Sequence, residues 1–176
     1  MAISQVALST LPRDPSNSDL NTAIQSINDI LAAPTLGSVT TVPVTVTGNV
    51  TLSAADHSGR SVYLNKAAGI AVTLPAATGS GARYRLILAA TVTSNTTTVT
   101  AASGDYINGV IRGGTGSTGS ADSWPTTAAT NTTITLDGTT KGGYIGDVIE
   151  LEDMATNEWA ISGQIKQSGT VATPIS

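Results

Sequence analysis

The chain has 176 residues, of which 11% are charged and 40% hydrophobic, and it contains neither Cys nor Phe. That length fits one ordinary domain with an appendage, and the missing cysteines exclude disulfides and thiolate metal sites. A net charge of −4, with eight Lys and Arg scattered from Arg13 to Lys166 in no stripe, argues against a nucleic-acid partner.

Residues 1–17 carry Pro12 and Pro15 and show no period. Isolated apolar residues at Ile3, Val6, Leu8 and Leu11 describe an extended N-terminal arm. Such a strip cannot bury its own anchors, so it is expected to bind something. The segment has no basic n-region followed by an apolar run, so no secretory signal is expected. No stretch of the chain is long and apolar enough to span a membrane as a helix.

Residues 18–33 contain SDLNTAIQSINDILA, a short amphipathic helix. Leu20, Ala23, Ile24, Ile27, Ile30 and Leu31 fall at steps of three and four and line one face. Ser18 suits the N-cap, Asp19 the positive end of the helix dipole, and Pro34 stops the helix. A helix this short is marginal in water, so its stripe needs a partner. The β domain, a sister helix and another protein all satisfy that need.

Residues 34–43 read as a linker and 44–176 as a β domain. Threonine and valine enrichment, with 18 glycines, favours strands. The strand-like runs are VPVTVTGNVTLS, RSVYLN, IAVTLP, ARYRLILAATV, TTTVTAA, DYINGVI, TTITL, GDVIELED and EWAISGQI. Their roughly ten-residue spacing, without intervening helices, predicts an antiparallel β-sandwich or barrel. Turns are expected at Thr78–Gly81 and at Asp137–Gly138, with Gly142 and Gly143 behind the second. Gly113–Ser123 reads as the longest loop.

Few residues invite chemistry. Gly114–Gly119 spells G-T-G-S-T-G, but SADSWPTTAATNTT follows it, broken by Pro125 and poor in helix formers. A pyrophosphate loop must open a helix, so the motif reads as a mobile loop. His57 is the single histidine, which excludes a His-based zinc cluster, and Asp56-His57-Ser58-Gly59 reads as a turn. Asp147, Glu150, Glu152, Asp153 and Glu158 form the densest charge. They are read as a solvated strand face, with a Ca²⁺ site as the alternative and acid–base catalysis a remote third. Trp159 is assigned to the core. The sequons at Asn49, Asn95 and Asn131 are read as by-products of abundant Thr.

Within Val44–Ser176, the stretch VTLSAADHSGRSVYLNKAAGIAVTLPAATGSGARYRLIL resembles a module of tailed-bacteriophage structural proteins. Its marks are T-L-x-A-A-x-x-x-G-[RK] before V-x-L-N, then G-x-x-V-T-L-P-A-A-T-G-[ST]-G-A. GGYIGDVIELEDMATNEWAISG and the final GTVATPIS also fit. The strongest element is Val72–Ala82. Residues 1–43 do not match the module.

The resemblance implies a virion protein without enzymatic activity, and it transfers no catalytic, cofactor-binding or metal-binding residue. The expected function is head decoration: a cement protein on the capsid exterior that bridges subunits of the major capsid protein. It would be made in the host cytoplasm and sit as a homotrimer at three-fold positions. The expected capsid or oligomer interface is Leu8, Leu11, Leu20, Ile24, Ile27, Ile30 and Leu31. No nucleic acid, membrane or small-molecule substrate is expected. The alternative is a tail-fibre or adhesin module recognising a host-surface glycan, with Trp124 and the Gly113–Ser123 loop exposed at a tip.

Overall fold

Thr47, Gly48 and Asn49 break the valine-rich run into two short strands, β1 (Val44–Val46) and β2 (Val50–Thr51), which enter different sheets. The computed structural model describes residue 22 and residues 42–115, 121–126 and 130–176. The arm, most of the predicted helix and residues 34–41 of the linker lie outside the described residues. So do all seven expected interface residues, Leu8, Leu11, Leu20, Ile24, Ile27, Ile30 and Leu31.

After β2, Ser53 caps a single helical turn, α1 (Ala54–His57), by accepting the Asp56 N–H on its hydroxyl. Gly59 follows with φ +70, a conformation that costs glycine nothing. The remaining elements are β3 (Ser61–Leu64), β4 (Ala71–Thr73), β5 (Arg83–Leu88), β6 (Thr97–Thr100), β7 (Tyr106–Thr115) and β8 (Ala121–Pro125). They are followed by β9 (Thr133–Leu136), β10 (Val148–Ala155) and β11 (Glu158–Gln167). The expected Asp137 turn is present, its carboxylate accepting from the N–H groups of Thr139 and Lys141 and from the Thr140 hydroxyl.

The fold is all-β. One sheet has the order β1-β3-β5-β10-β11-β7-β8 and the other β2-β4-β6-β9. The expectation of purely antiparallel strands is corrected. β1–β3, β3–β5, β2–β4, β4–β6 and β7–β11 pair in parallel, and only β5–β10, β10–β11, β7–β8 and β6–β9 are antiparallel. From β1 to β6 the chain crosses to the other sheet after every strand and returns running the same way. A strand in the opposite sheet thus serves as the crossover that a helix supplies in other parallel sheets. The ten-residue spacing measured the step between sheets, not the step within one.

Registers align the core in rows. Val44, Val62, Leu86, Ile149, Gly163, Ile111 and Trp124 are successive partners across all seven strands. Val50, Val72, Val99 and Ile134 cross the smaller sheet, and Ile175 bridges to its edge. Fully burying each such side chain contributes about 1.5–3 kcal/mol. On the outer face of the smaller sheet the partners are Thr51, Thr73, Thr100 and Thr133. This β-branched ladder suits a pleated surface without making it apolar.

The last residues fasten this sheet. Thr135 donates its N–H to the Pro174 carbonyl, Thr132 and Thr133 donate to Ser176, and Ser176 donates back to Thr133. Nearby, Gln167 is fully buried. Its Nε2 donates to the carbonyls of Thr140 and Ala172, and its Oε1 accepts from Trp124 Nε1 at 3.1 Å. Gln167→Ala strips three groups of their partner at once, so it is expected to cost about 2–4 kcal/mol. Urea unfolding followed by Trp fluorescence would read the loss.

Candidate functional site

β10 reads V-I-E-L-E-D, and the period of two divides its carboxylates between faces. Asp153 points inward and is buried. It accepts from the N–H groups of Thr78, Gly79 and Ser80 and from the hydroxyls of Thr78 and Ser80. Burial pushes its carboxyl up, but the bonds from Ser80, Gly79 and Thr78 outweigh burial and hold it well below the usual carboxylate range. Asp147, just before β10, is buried too and accepts from the N–H groups of Gly143, Tyr144 and Lys166. Here burial wins over those bonds and raises the carboxyl.

The reading of a solvated acidic face is therefore corrected for Asp147 and Asp153, which fasten loops inside the fold. It holds for Glu150 and Glu152, which face outward beside Arg85 and Arg83 at 3.2 and 3.0 Å. Among the described residues no group of three or more His, Asp or Glu is placed to hold a metal ion.

The outer face of the seven-stranded sheet carries two adjoining hollows of about 520 and 630 Å³ that share Arg85, Glu150, Ile161 and Ser162. Their floor is made of small residues, Ala160, Ser162 and Gly109 among them. Gly109 adopts φ +146, and a Cβ there would collide with the Ile161 carbonyl, so β7 and β11 approach closely only because this residue is glycine. Arg60, Arg83, Arg85 and Arg112 line the hollows. The basic residues are scattered along the chain but gathered in space: four of its eight Lys and Arg converge here against two carboxylates. Strand order does this, because β3, β5, β10, β11 and β7 lie side by side.

The four arginines differ in commitment. Arg60 donates to the carbonyls of Val42 and Asp56 at 2.8 Å each. The Arg83 and Arg85 side chains are 72% and 48% exposed in their pairs with Glu152 and Glu150. Exposed pairs of this kind are worth about 0.2–1 kcal/mol, so they rearrange cheaply. The Arg112 side chain, exposed on β7, makes no hydrogen bond or ion pair with another described residue.

The other flagged residues serve the fold. His57 is buried, and its Nδ1 accepts the Ser53 N–H at 3.1 Å, which fixes the turn read there. Trp159 is core, as assigned, with its ring centroid 5.7 Å from that of Tyr84. Two sequon asparagines work structurally: Asn49 Oδ1 accepts from Ala71 N–H, and Asn95 adopts φ 57 and donates to the Ala68 carbonyl. Gly113–Ser123 is not one long loop, since 113–115 extend β7 and 121–123 belong to β8, with 116–120 outside the described residues. Trp124 is not at an exposed tip but half-buried against the core and bonded to Gln167. The role of Asp105, buried with its carboxylate accepting from Ala77 N–H at 2.7 Å, had no sequence signal beyond its place in a turn. No protein-family model, no curated protein and no solved structure matches the chain.

Proposed function

We propose that this chain is a structural protein of a tailed-bacteriophage virion, a head decoration (cement) protein without enzymatic activity. One observation carries the reading. The stretch with the strongest resemblance to the phage module, 72–82, is bonded to a second stretch that also fits it, 142–163. Asp153 from the second holds Thr78, Gly79 and Ser80 of the first through five hydrogen bonds. A T-G-S turn that serves as a catch for a buried carboxylate has a structural job here, which supports reading the motif as a mark of architecture and not of chemistry. The same applies to the T-L-x-A-A element, where Ser53 caps α1 and Gly59 supplies the turn.

On this reading the β domain is a knob, and residues 1–35 attach it to the major capsid protein in a homotrimer on the capsid exterior. Many modest contacts bridging neighbouring subunits would resist internal pressure by multivalency. The adhesin alternative loses its tip tryptophan, because Trp124 is committed to Gln167. Immunogold labelling of particles with antibody to the β domain tests the proposal. Gold over the head, and loss of head binding on deleting residues 1–35, are the expected results. Gold confined to the tail would refute head decoration.

A further inference from the structure

We propose that the arginine-lined trough on the outer face of the seven-stranded sheet binds a carboxylate-bearing polysaccharide. The charge is complementary: Arg60, Arg83, Arg85 and Arg112 face Glu150 and Glu152, a local excess of two positive charges on a chain of net −4. Guanidinium groups match carboxylates with a planar two-donor fork. The Arg112 side chain has no partner among the described residues to give up, and the exposed Arg83 and Arg85 lose little in turning from Glu to a ligand.

The remaining lining selects the ligand class. The trough lies in mid-sheet, where backbone groups are already used in the ladders, so a peptide cannot add as a strand as it does at an edge. Recognition must come from side chains, and Ser61, Ser162 and Gln164 offer the mixed donors and acceptors that sugar hydroxyls need. Glu150 and Glu152 add acceptors for sugar hydroxyls. The one aromatic residue of the lining, Tyr84, is a buried core side chain, so no exposed ring is available for bases to stack on. The small floor residues leave the hollows open over two adjoining volumes, as a chain of sugars requires. The residues named for the trough are distinct from the segment 1–35 proposed for head attachment.

Isothermal titration of the full chain with polygalacturonate oligomers tests this. Dextran, poly-glutamate and a single-stranded oligonucleotide serve as competing occupants. The expected result is binding to polygalacturonate alone, weakened by 0.5 M NaCl through screening. Arg85→Ala and Arg112→Ala should each raise Kd by about ten-fold or more, given the strength of charge-assisted hydrogen bonds. Lys66→Ala, outside the trough, should leave Kd unchanged, and thermal melts of the three variants should match the parent. No binding to polygalacturonate, equal binding to dextran, or tighter binding to poly-glutamate or the oligonucleotide would overturn the proposal. So would an equal loss in Lys66→Ala, or no loss in Arg85→Ala and Arg112→Ala.

Discussion

Asp153→Ala is expected to lower stability by about 3–5 kcal/mol, because it removes a buried carboxylate together with the five hydrogen bonds that tie it to Thr78, Gly79 and Ser80. For a domain of this size that is a fall in Tm of about 10–15 °C, readable by calorimetry. The pH dependence follows from the sign of the shift. The folded carboxyl lies below its unfolded value, so its contribution is complete above about pH 4 and is lost as the pH falls toward the folded value. Asp147 runs the other way: its raised carboxyl makes ionisation costly as the pH rises past the ordinary carboxylate value. Asp153→Asn should therefore lose less stability than the parent between pH 5 and pH 3, and Asp147→Asn should lose more. Urea midpoints at the two pH values decide it. Equal acid sensitivity in all three proteins would contradict both assignments.

Trp159→Ala is expected to cost about 3–5 kcal/mol through lost burial and the cavity left behind. Trp159 is fully buried on β11, opposite Asp153 on one side and Ile107 on the other, with the Tyr84 ring against it. Trp159→Phe separates volume from polarity. The indole Nε1 has no hydrogen-bond partner among the described residues, so the change forfeits none there. Its cost should stay near 1–2 kcal/mol, a volume effect alone. Denaturant unfolding by circular dichroism reads both, and a Phe variant as damaged as the Ala variant would show that the indole nitrogen does matter.

Most strands were legible because they are short apolar runs punctuated by glycine, proline and asparagine. RSVYLN, IAVTLP and EWAISGQI correspond to β3, β4 and β11 within a residue or two at most ends. Direction was not legible. A strand's residues do not record whether its neighbour comes before or after a crossing to the other sheet, so the winding of β1 to β6 left no mark that the ten-residue spacing could reveal. β8 was missed because A-D-S-W-P is exposed at alternate positions and ends in proline, the composition of an edge rather than of a core strand. The trough was half visible. R-Y-R in β5 and E-L-E in β10 each place two like charges on one face, and they are opposite partners in the sheet. That Arg60 and Arg112 join them depends on pairings between strands far apart in sequence.

The place of β10 has a consequence for assembly. As the chain emerges, β3 and β5 can pair at once, but the other edge of β5 pairs with β10, whose residues follow some sixty positions later. Until then β5 presents an open apolar edge, the kind of surface along which nascent chains stick to one another. Its alternate residues are Arg83 and Arg85, and charge at such positions discourages a foreign strand from docking. Arginines that line a trough in the finished domain would thus first act as guards, keeping the unfinished sheet for its own strand.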